Sequence, residues 1–316
     1  MSAPRLSVVI PNYNHAKLLP TCLTAVMEQS VPADEVIVID DGSKDDSRLV
    51  LAEFAARYPR LRLEPNERNL GVVPTMNRGL GLARGDYVAF LAADDEVLPG
   101  WLEKTLPQLE RHAGVGLVCG LTEWRCHSTG MTWRHGTRMP TDGAFLDPEA
   151  MVRLGRSGRL TISGQHALMN KAALLAAGGW NPELRWFTDW FATCVIAFRH
   201  GMVHVPDVLS VFNLHATSYY NTAESNAQRR ETMLRVLEYL ESEAYADVAA
   251  RIGASGLLGG FGLPMMRLVG GSMRHRRFLT AGFLRHAARR GAEVAGRRFL
   301  PAWLARACLR LFYRGR

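Results

Sequence analysis

The stretch Glu35-Val36-Ile37-Val38-Ile39-Asp40-Asp41-Gly42-Ser43 places four consecutive β-branched residues directly before two carboxylates and a glycine. Uninterrupted apolar runs of this kind belong to strands buried on both faces, as in parallel sheets covered by helices. Outward from it, short apolar runs at 7–10, 61–64 and 87–91 predict three more strands, and stretches at 16–29, 47–58 and 73–83 predict the helices between them. That alternation predicts an α/β fold with a parallel sheet flanked by helices. Ligands of such sheets bind beyond the carboxyl ends of the strands. The residues there are Pro11-Asn12-Tyr13-Asn14, Asp40-Asp41-Gly42-Ser43 and Ala92-Ala93-Asp94-Asp95.

Beyond residue 100 the pattern is less regular. It predicts helices at 101–112, 148–154, 171–177 and 186–200, a strand at 116–119 and a loop-rich segment at 123–141. A long helix is expected over 224–252, after which six Gly and Pro264 within 256–271 break regularity and suggest a boundary. The apolar run at 256–273 has the length of a membrane span, but Arg267, Pro264 and the glycines argue against one.

The formal charge of +8 is unevenly placed. Residues 267–316 hold 13 Arg, no Lys and a single acid, Glu293, whereas the rest of the chain is slightly acidic. Bulky apolar residues such as Phe283, Trp303 and Phe312 interleave those arginines, which fits an anionic membrane surface and not nucleic acid. Following Pro301, Leu304, Ala307, Cys308, Leu311 and Phe312 make one helical stripe, with Arg306, Arg310 and Arg314 on the other side. The stripe is expected to lie on a membrane; packing on the catalytic domain or on a second subunit, as a homo-oligomer, is the alternative. The five cysteines are widely spaced with no C-x-x-C, so neither a disulfide framework nor a zinc site is expected. No basic-then-apolar export segment precedes the first strand, so the expected location is cytoplasmic, peripheral on the inner face of the plasma membrane.

Two acidic pairs at adjacent strand ends repel unless a cation or hydrogen-bond donors hold them. Asp94 and Asp95 suit a hard divalent cation, magnesium or manganese, shared with substrate phosphates. Asp40 and Asp41 would accept hydrogen bonds from a base or ribose, or cap the next helix.

Taken in order, Ser7-Val8-Val9-Ile10-Pro11-Asn12-Tyr13-Asn14, Val38-Ile39-Asp40-Asp41-Gly42-Ser43, Asn69-Leu70-Gly71 and Leu91-Ala92-Ala93-Asp94-Asp95 resemble glycosyltransferase family 2 over about residues 5–220. The resemblance implies a GT-A fold, with a mostly parallel Rossmann-like sheet, and an inverting transfer from a nucleotide-diphosphate sugar, a UDP-sugar first among them. The acceptor would be a saccharide or lipid-linked hydroxyl in polysaccharide, lipopolysaccharide or glycolipid assembly. It also implies that Pro11, Tyr13, Asp41 and Asp94 line the nucleoside site with Asp40, that Asn14, Asn69, Gly71 and Asn77 complete the donor-binding set, and that Asp95 binds the metal. Asp189, after the turn Gly178-Gly179-Trp180, matches the catalytic base, and His215 matches a late histidine near the metal or diphosphate. Three positions depart from the pattern. Ala92 replaces a common first acid, Thr188 a common Glu, and Asn213 a common Arg.

The implied organisation is a catalytic domain over 1–222, with its nucleotide-sugar half at about 1–100 and its acceptor half at about 101–222. A helical extension over 223–316 follows, basic and amphipathic from about 267. A non-catalytic nucleotide-sugar or lipid-binding protein of the same fold is the alternative suggested by Ala92 and Thr188. A nucleotidyltransferase would need a Gly-rich phosphate loop with Lys, which 11–14 does not supply.

Overall fold

The computed structural model describes residues 3–215 and 225–299. Strands β1 (Leu6–Asn12), β2 (Glu35–Asp40), β3 (Leu61–Pro65) and β4 (Tyr87–Phe90) alternate with helices α1 (Leu19–Met27), α2 (Ser47–Arg57) and α3 (Val72–Leu82). All four strands run parallel in the order β3-β2-β1-β4. The winding therefore reverses at β1, and a crevice opens beyond the carboxyl ends of β1 and β4. The predicted helix at 16–29 begins later, at Leu19, where Pro20 takes a first-turn position that needs no N–H.

The chain continues through β5 (Glu96–Val97), α4 (Trp101–Arg111), β6 (Leu117–Cys126), β7 (Met131–His135), β8 (Phe145–Leu146), α5 (Pro148–Arg156), β9 (Leu168–Asn170) and α6 (Lys171–Ala176). After them come α7 (Thr188–His200), β10 (Met202–Leu214), α8 (Asn226–Glu241), α9 (Ala246–Ser255), α10 (Gly262–Gly271) and α11 (Ala281–Phe299). The sheet extends as β4-β9-β6-β10-β5, with β7 on β6 and β8 on β10. Within it β9 is antiparallel to both neighbours, while β6 and β10 are parallel. The fold is of the expected GT-A type, an α/β sheet flanked by helices with a helical C-terminal region.

Side chains of β1 and β2 alternate between two apolar clusters. Val9, Ile37 and Ile39 face one, and Val8, Ile10, Val36 and Val38 face the other. This is why the run at 36–39 is apolar throughout. The first cluster also takes in Phe191, Val195 and Phe198 of α7, Val236 and Leu240 of α8, Ile252 of α9 and Phe283 of α11. The helices after residue 225 thus pack into the same core as the sheet.

Several expectations for the second half are corrected. The loop-rich segment at 123–141 contains the end of β6 and all of β7, whose cross-strand Trp124 and Trp133 stack with centroids 5.7 Å apart. Strand β10 went unread because Pro206 and Asp207 interrupt its sequence, and the register shifts on either side of Val208 absorb them as a bulge. The helix expected over 224–252 breaks at Ser242, whose backbone is extended between α8 and α9. The glycines of 256–271 include packing positions: a Cβ on Gly256 would meet the carbonyl carbon of Gly282 at 2.2 Å, and one on Gly259 would meet the Phe283 carbonyl oxygen at 2.1 Å.

Between β6 and β10 sits His166, fully buried. Its Nε2 accepts the Gly120 N–H at 3.1 Å, so Nδ1 carries the proton and donates to Ser210 Oγ at 2.6 Å. Burial pushes its pKa down to about 3, and the ring stays neutral.

No single helix among the described residues is long and apolar enough to cross a membrane. The bent pair Glu243–Ser255 and Leu257–Gly271 meets the criterion jointly at 67°, but its Val248, Ile252, Leu258, Met265 and Val269 are buried in the core. The amphipathic stripe expected at 304–312 lies outside the described residues.

Candidate active site

At the end of β2 the two carboxylates turn inward. Asp40 Oδ1 accepts from Asn12 Nδ2 at 3.0 Å, and its Oδ2 accepts from the Ser43 N–H at 3.3 Å and Arg48 Nε at 3.0 Å. Asp41 Oδ1 accepts from Asn66 Nδ2 at 2.7 Å and the Leu70 N–H at 2.9 Å, and its Oδ2 accepts from the Gly71 N–H at 2.9 Å. Asp41 does not cap α2, whose N-cap is Asp46. Both carboxylates are buried and shape the loops around them. Gly71, at φ +91°, turns its N–H toward Asp41 in a conformation that favours glycine.

The members of the expected donor set that are not buried are Pro11, Tyr13, Asn14, Asn69, Gly71, Asn77 and Asp94. Asn14 sits at φ +57°, its N–H donating to Ser43 Oγ and its Oδ1 accepting the Lys44 N–H at 2.8 Å. It joins the β1 and β2 loops. Asn77 is placed differently from its expectation. Its Nδ2 donates to the Trp180 carbonyl at 2.6 Å and its Oδ1 accepts the Trp180 N–H at 3.0 Å, so it clamps the turn that leads to Asp189.

Beyond β4, Asp94, Asp95 and Glu96 follow one another. The Asn213 N–H on β10 donates to Asp95 Oδ1 at 2.8 Å, and Asn213 Nδ2 donates to the Asp94 carbonyl at 3.0 Å. Burial, then repulsion from Asp94, pushes the Asp95 pKa well above the ordinary carboxylate value, and the Asn213 N–H opposes the shift. Such crowding favours a cation. The oxygen donors of Asp95 fit hard magnesium or manganese, yet no group of three His, Cys, Asp or Glu ligands assembles among the described residues. Any metal held here needs ligands from substrate phosphate or water. His215 stacks on His127 at 4.2 Å, and His127 Nε2 lies 2.9 Å from Asn213 Oδ1. The ring is brought to the edge of the acidic cluster and is not part of a preformed ligand set. His127 escaped sequence reading and Asn213 was read only as a departure from the family pattern, since the pairing of β10 with β5 and with β6 is what brings them beside Asp95.

The candidate base stands at the start of α7. Gly178 and Gly179, at φ +90° and +67°, make the turn that Asn77 clamps, and Asn181 caps the short 3₁₀ turn Pro182–Phe187. Arg185, at φ +44° and ψ −121°, bends the chain so that α7 begins at Thr188. Asp189 is in the first helical turn, where backbone N–H groups favour an anion, and its Oδ1 accepts the Trp190 N–H at 2.6 Å. Its side chain reaches solvent from a position surrounded by protein, which raises its pKa by desolvation. Trp186, Phe187, Trp190 and, from the C-terminal helices, Phe261 form an aromatic wall beside it, with Trp190 and Phe261 edge to face at 5.0 Å.

The family model for glycosyl transferase family 2 matches residues 7–175, more than half of the chain. The chain belongs to glycosyl transferase family 2. This glycosyltransferase is 33% identical over 247 residues to an uncharacterized glycosyltransferase of Haemophilus influenzae, covering 76% of this chain and 75% of the relative. It is 32% identical over 192 residues to a PGL/p-HBAD biosynthesis glycosyltransferase of Mycobacterium bovis, covering 60% and 68%. Among solved structures it resembles Staphylococcus aureus TarS 1-349 in complex with UDP-GlcNAc, with TM-score 0.63, 16% identity, and 98% and 90% of the two chains covered. It also resembles the mannosyltransferase PcManGT of Pyrobaculum calidifontis in complex with GDP-Man and Mn²⁺, with TM-score 0.56, 20% identity, and 99% and 86% covered. The likeness to solved structures concerns the fold.

Proposed function

We propose that this glycosyltransferase moves a sugar from a nucleoside diphosphate sugar, a UDP-sugar first, to an acceptor hydroxyl with inversion at the anomeric carbon. The observation that carries the reading is Asp189: a solvent-reaching carboxylate of raised pKa on the first turn of α7, tied through the Asn77 clamp to the donor half. Nucleotide sugars held by the two similar solved structures support the donor class.

In this reading Tyr13, Asn69 and Asp94 contact the nucleoside, while Asp40 and Asp41 hold the loops that present them. Asp95 would hold a divalent cation, the remaining ligands coming from substrate or water. When bound, that cation neutralises charge developing on the leaving group. Asp189 takes the proton of the acceptor hydroxyl as its oxygen bonds to the anomeric carbon, and the bond from that carbon to the diphosphate breaks on the opposite face. The protonated Asp189, the glycoside and the nucleoside diphosphate are the products of the step.

The acceptor belongs to cell-envelope polysaccharide or glycolipid assembly in this proposal, in keeping with the glycolipid relative. The basic tail then holds the enzyme on an anionic cytoplasmic membrane face, each Arg near the surface contributing about 1 kcal/mol. A panel of nucleotide sugars with and without manganese, read by thermal shift, tests the donor reading. A donor at 100 times its Kd stabilises by about 2.7 kcal/mol. No stabilisation by any nucleotide sugar or by UDP would remove it.

A further inference from the structure

The turn from Ala177 to Phe187, which delivers Asp189, holds a backbone conformation that few residues adopt unaided. Gly178, Gly179 and Arg185 all stand at positive φ. Such backbone persists only where its surroundings over-determine it. Asn77 supplies one grip from the donor half, through both backbone groups of Trp180. The C-terminal helices supply a second. Tyr245, at the end of the 3₁₀ turn Glu243–Tyr245 that leads into α9, donates its hydroxyl to the Ala177 carbonyl at 3.0 Å. Ala177 is the C-cap of α6, so that bond takes up a carbonyl with no partner inside the helix. A Cβ on the neighbouring Gly178 would lie 3.3 Å from the same hydroxyl. Tyr239 of α8 donates to Glu183 Oε2 at 2.9 Å, in the first turn of the 3₁₀ segment Pro182–Phe187. Both tyrosine rings meet Phe191, two residues after Asp189, Tyr245 edge to face with centroids 5.0 Å apart and Tyr239 at 6.0 Å. Further along α7, Arg199 makes a bidentate pair with Asp247 of α9 at 2.8 and 2.9 Å.

We propose that Tyr239 and Tyr245 are positioning residues for Asp189, so that α8 and α9, which lie beyond the residues of the family match, set the place of the base. The hydroxyl and ring contacts of both tyrosines go to the turn, to α7 and to each other, and none goes to the donor set. Their effect therefore falls on the chemical step and not on donor binding. Placement matters because a shift of about 1 Å in a reacting group can cost about 10²-fold in rate. The inference rests on the reading of Asp189 as the base, whereas the grip on the turn is independent of that reading.

Tyr239→Phe and Tyr245→Phe, made in the full chain, each remove one hydroxyl and keep the ring. Amide hydrogen exchange reads the turn without any ligand: amides of 178–190 should exchange several-fold faster in both variants, and those of the loop at 66–71 should not change. Turnover is read as nucleoside diphosphate released from a panel of UDP- and GDP-sugars in manganese, with glycerol as acceptor. In each variant kcat should fall by about three- to tenfold, the equivalent of one hydrogen bond, with donor KM and calorimetric UDP affinity unchanged. Retained UDP affinity also shows that the variants fold. Tyr58→Phe, whose hydroxyl meets Glu28, should behave as wild type. Wild-type exchange at 178–190, wild-type kcat in the tyrosine variants, or a loss confined to donor KM or UDP affinity overturns the proposal. Loss of turnover in Asp189→Asn beside wild-type kcat in the tyrosine variants overturns the positioning role alone. Wild-type turnover in Asp189→Asn, or no release by wild type from any donor of the panel, overturns the reading of the base and the positioning role with it.

Discussion

The backbone N–H of Asn213 reaches Asp95 Oδ1 at 2.8 Å, so the last strand of the sheet fastens the acid that follows the fourth. One carboxylate oxygen is thereby held by the protein. Asp95→Asn should leave the fold intact and abolish manganese-dependent UDP binding and transfer, checked by calorimetry and by turnover with and without chelator. Because the Asp95 pKa is raised, protonation begins at a higher pH than for an ordinary carboxylate. Manganese-supported UDP affinity should therefore weaken as pH falls through that raised value, and a flat profile down to the ordinary range would contradict the assignment.

Asp189→Asn should keep UDP affinity and lower transfer by about 10²–10⁴-fold, the usual contribution of a positioned base. The raised pKa also has a stability consequence. A carboxyl whose folded pKa lies above its unfolded value stabilises the fold at low pH, and that contribution is lost as pH rises through the folded value. The neutral amide should thus melt no lower than wild type at neutral pH, with the difference shifting in favour of wild type on acidification. A product of retained anomeric configuration would exclude the base role.

Asp41→Ala removes the acceptor for Asn66 Nδ2 and for the N–H groups of Leu70 and Gly71. Loss of buried hydrogen bonds to a charged group predicts destabilisation of about 2–4 kcal/mol, read from the urea midpoint. UDP affinity should fall as well, since the loop carrying Asn69 is released.

Two glycine substitutions separate packing from chain breaking. A Cβ on Gly256 would lie 2.3 Å from the Phe283 N atom, at φ +79°. Gly256→Ala should destabilise by about 3 kcal/mol or more through overpacking and backbone strain. Gly270 lies in α10 with nothing within 4 Å of its added Cβ, so Gly270→Ala should stabilise by up to about 1 kcal/mol. Equal thermal shifts for the two would show that the glycine run is not a packing device.

Vesicle co-sedimentation tests the tail. The full chain should bind phosphatidylglycerol vesicles in low salt and release in high salt, whereas a chain ending at residue 299, which lacks the expected stripe and four of the 13 arginines, should bind less. Equal partitioning of the two would take the tail off the membrane.

Sequence alone determined the strand and helix order of the first half of the molecule and which polar residues stand at its strand ends. Each strand there is a short apolar run separated from the next by a helix, and the acids of 40–41 and 94–95 stand at or just beyond the strand ends that place them. Asp94 and Asp95 stood out for that reason, whereas Asp189, in the first turn of α7, stood out only by the family resemblance. The tertiary structure decided what local patterns do not encode. Strand β10 is read only through its pairing with β6, because a bulge hides Pro206 and Asp207 from any alternating pattern. Asn213 meets Asp95 across a separation of 118 residues, and Asn77 meets Trp180 across 103. That Asp40 and Asp41 are buried and anchor the surrounding loops was also decided by the fold, through the donors it turns toward them. Packing of Phe283 into the core decides which face α11 turns inward, because a helix pinned along one apolar face has no freedom to turn it elsewhere.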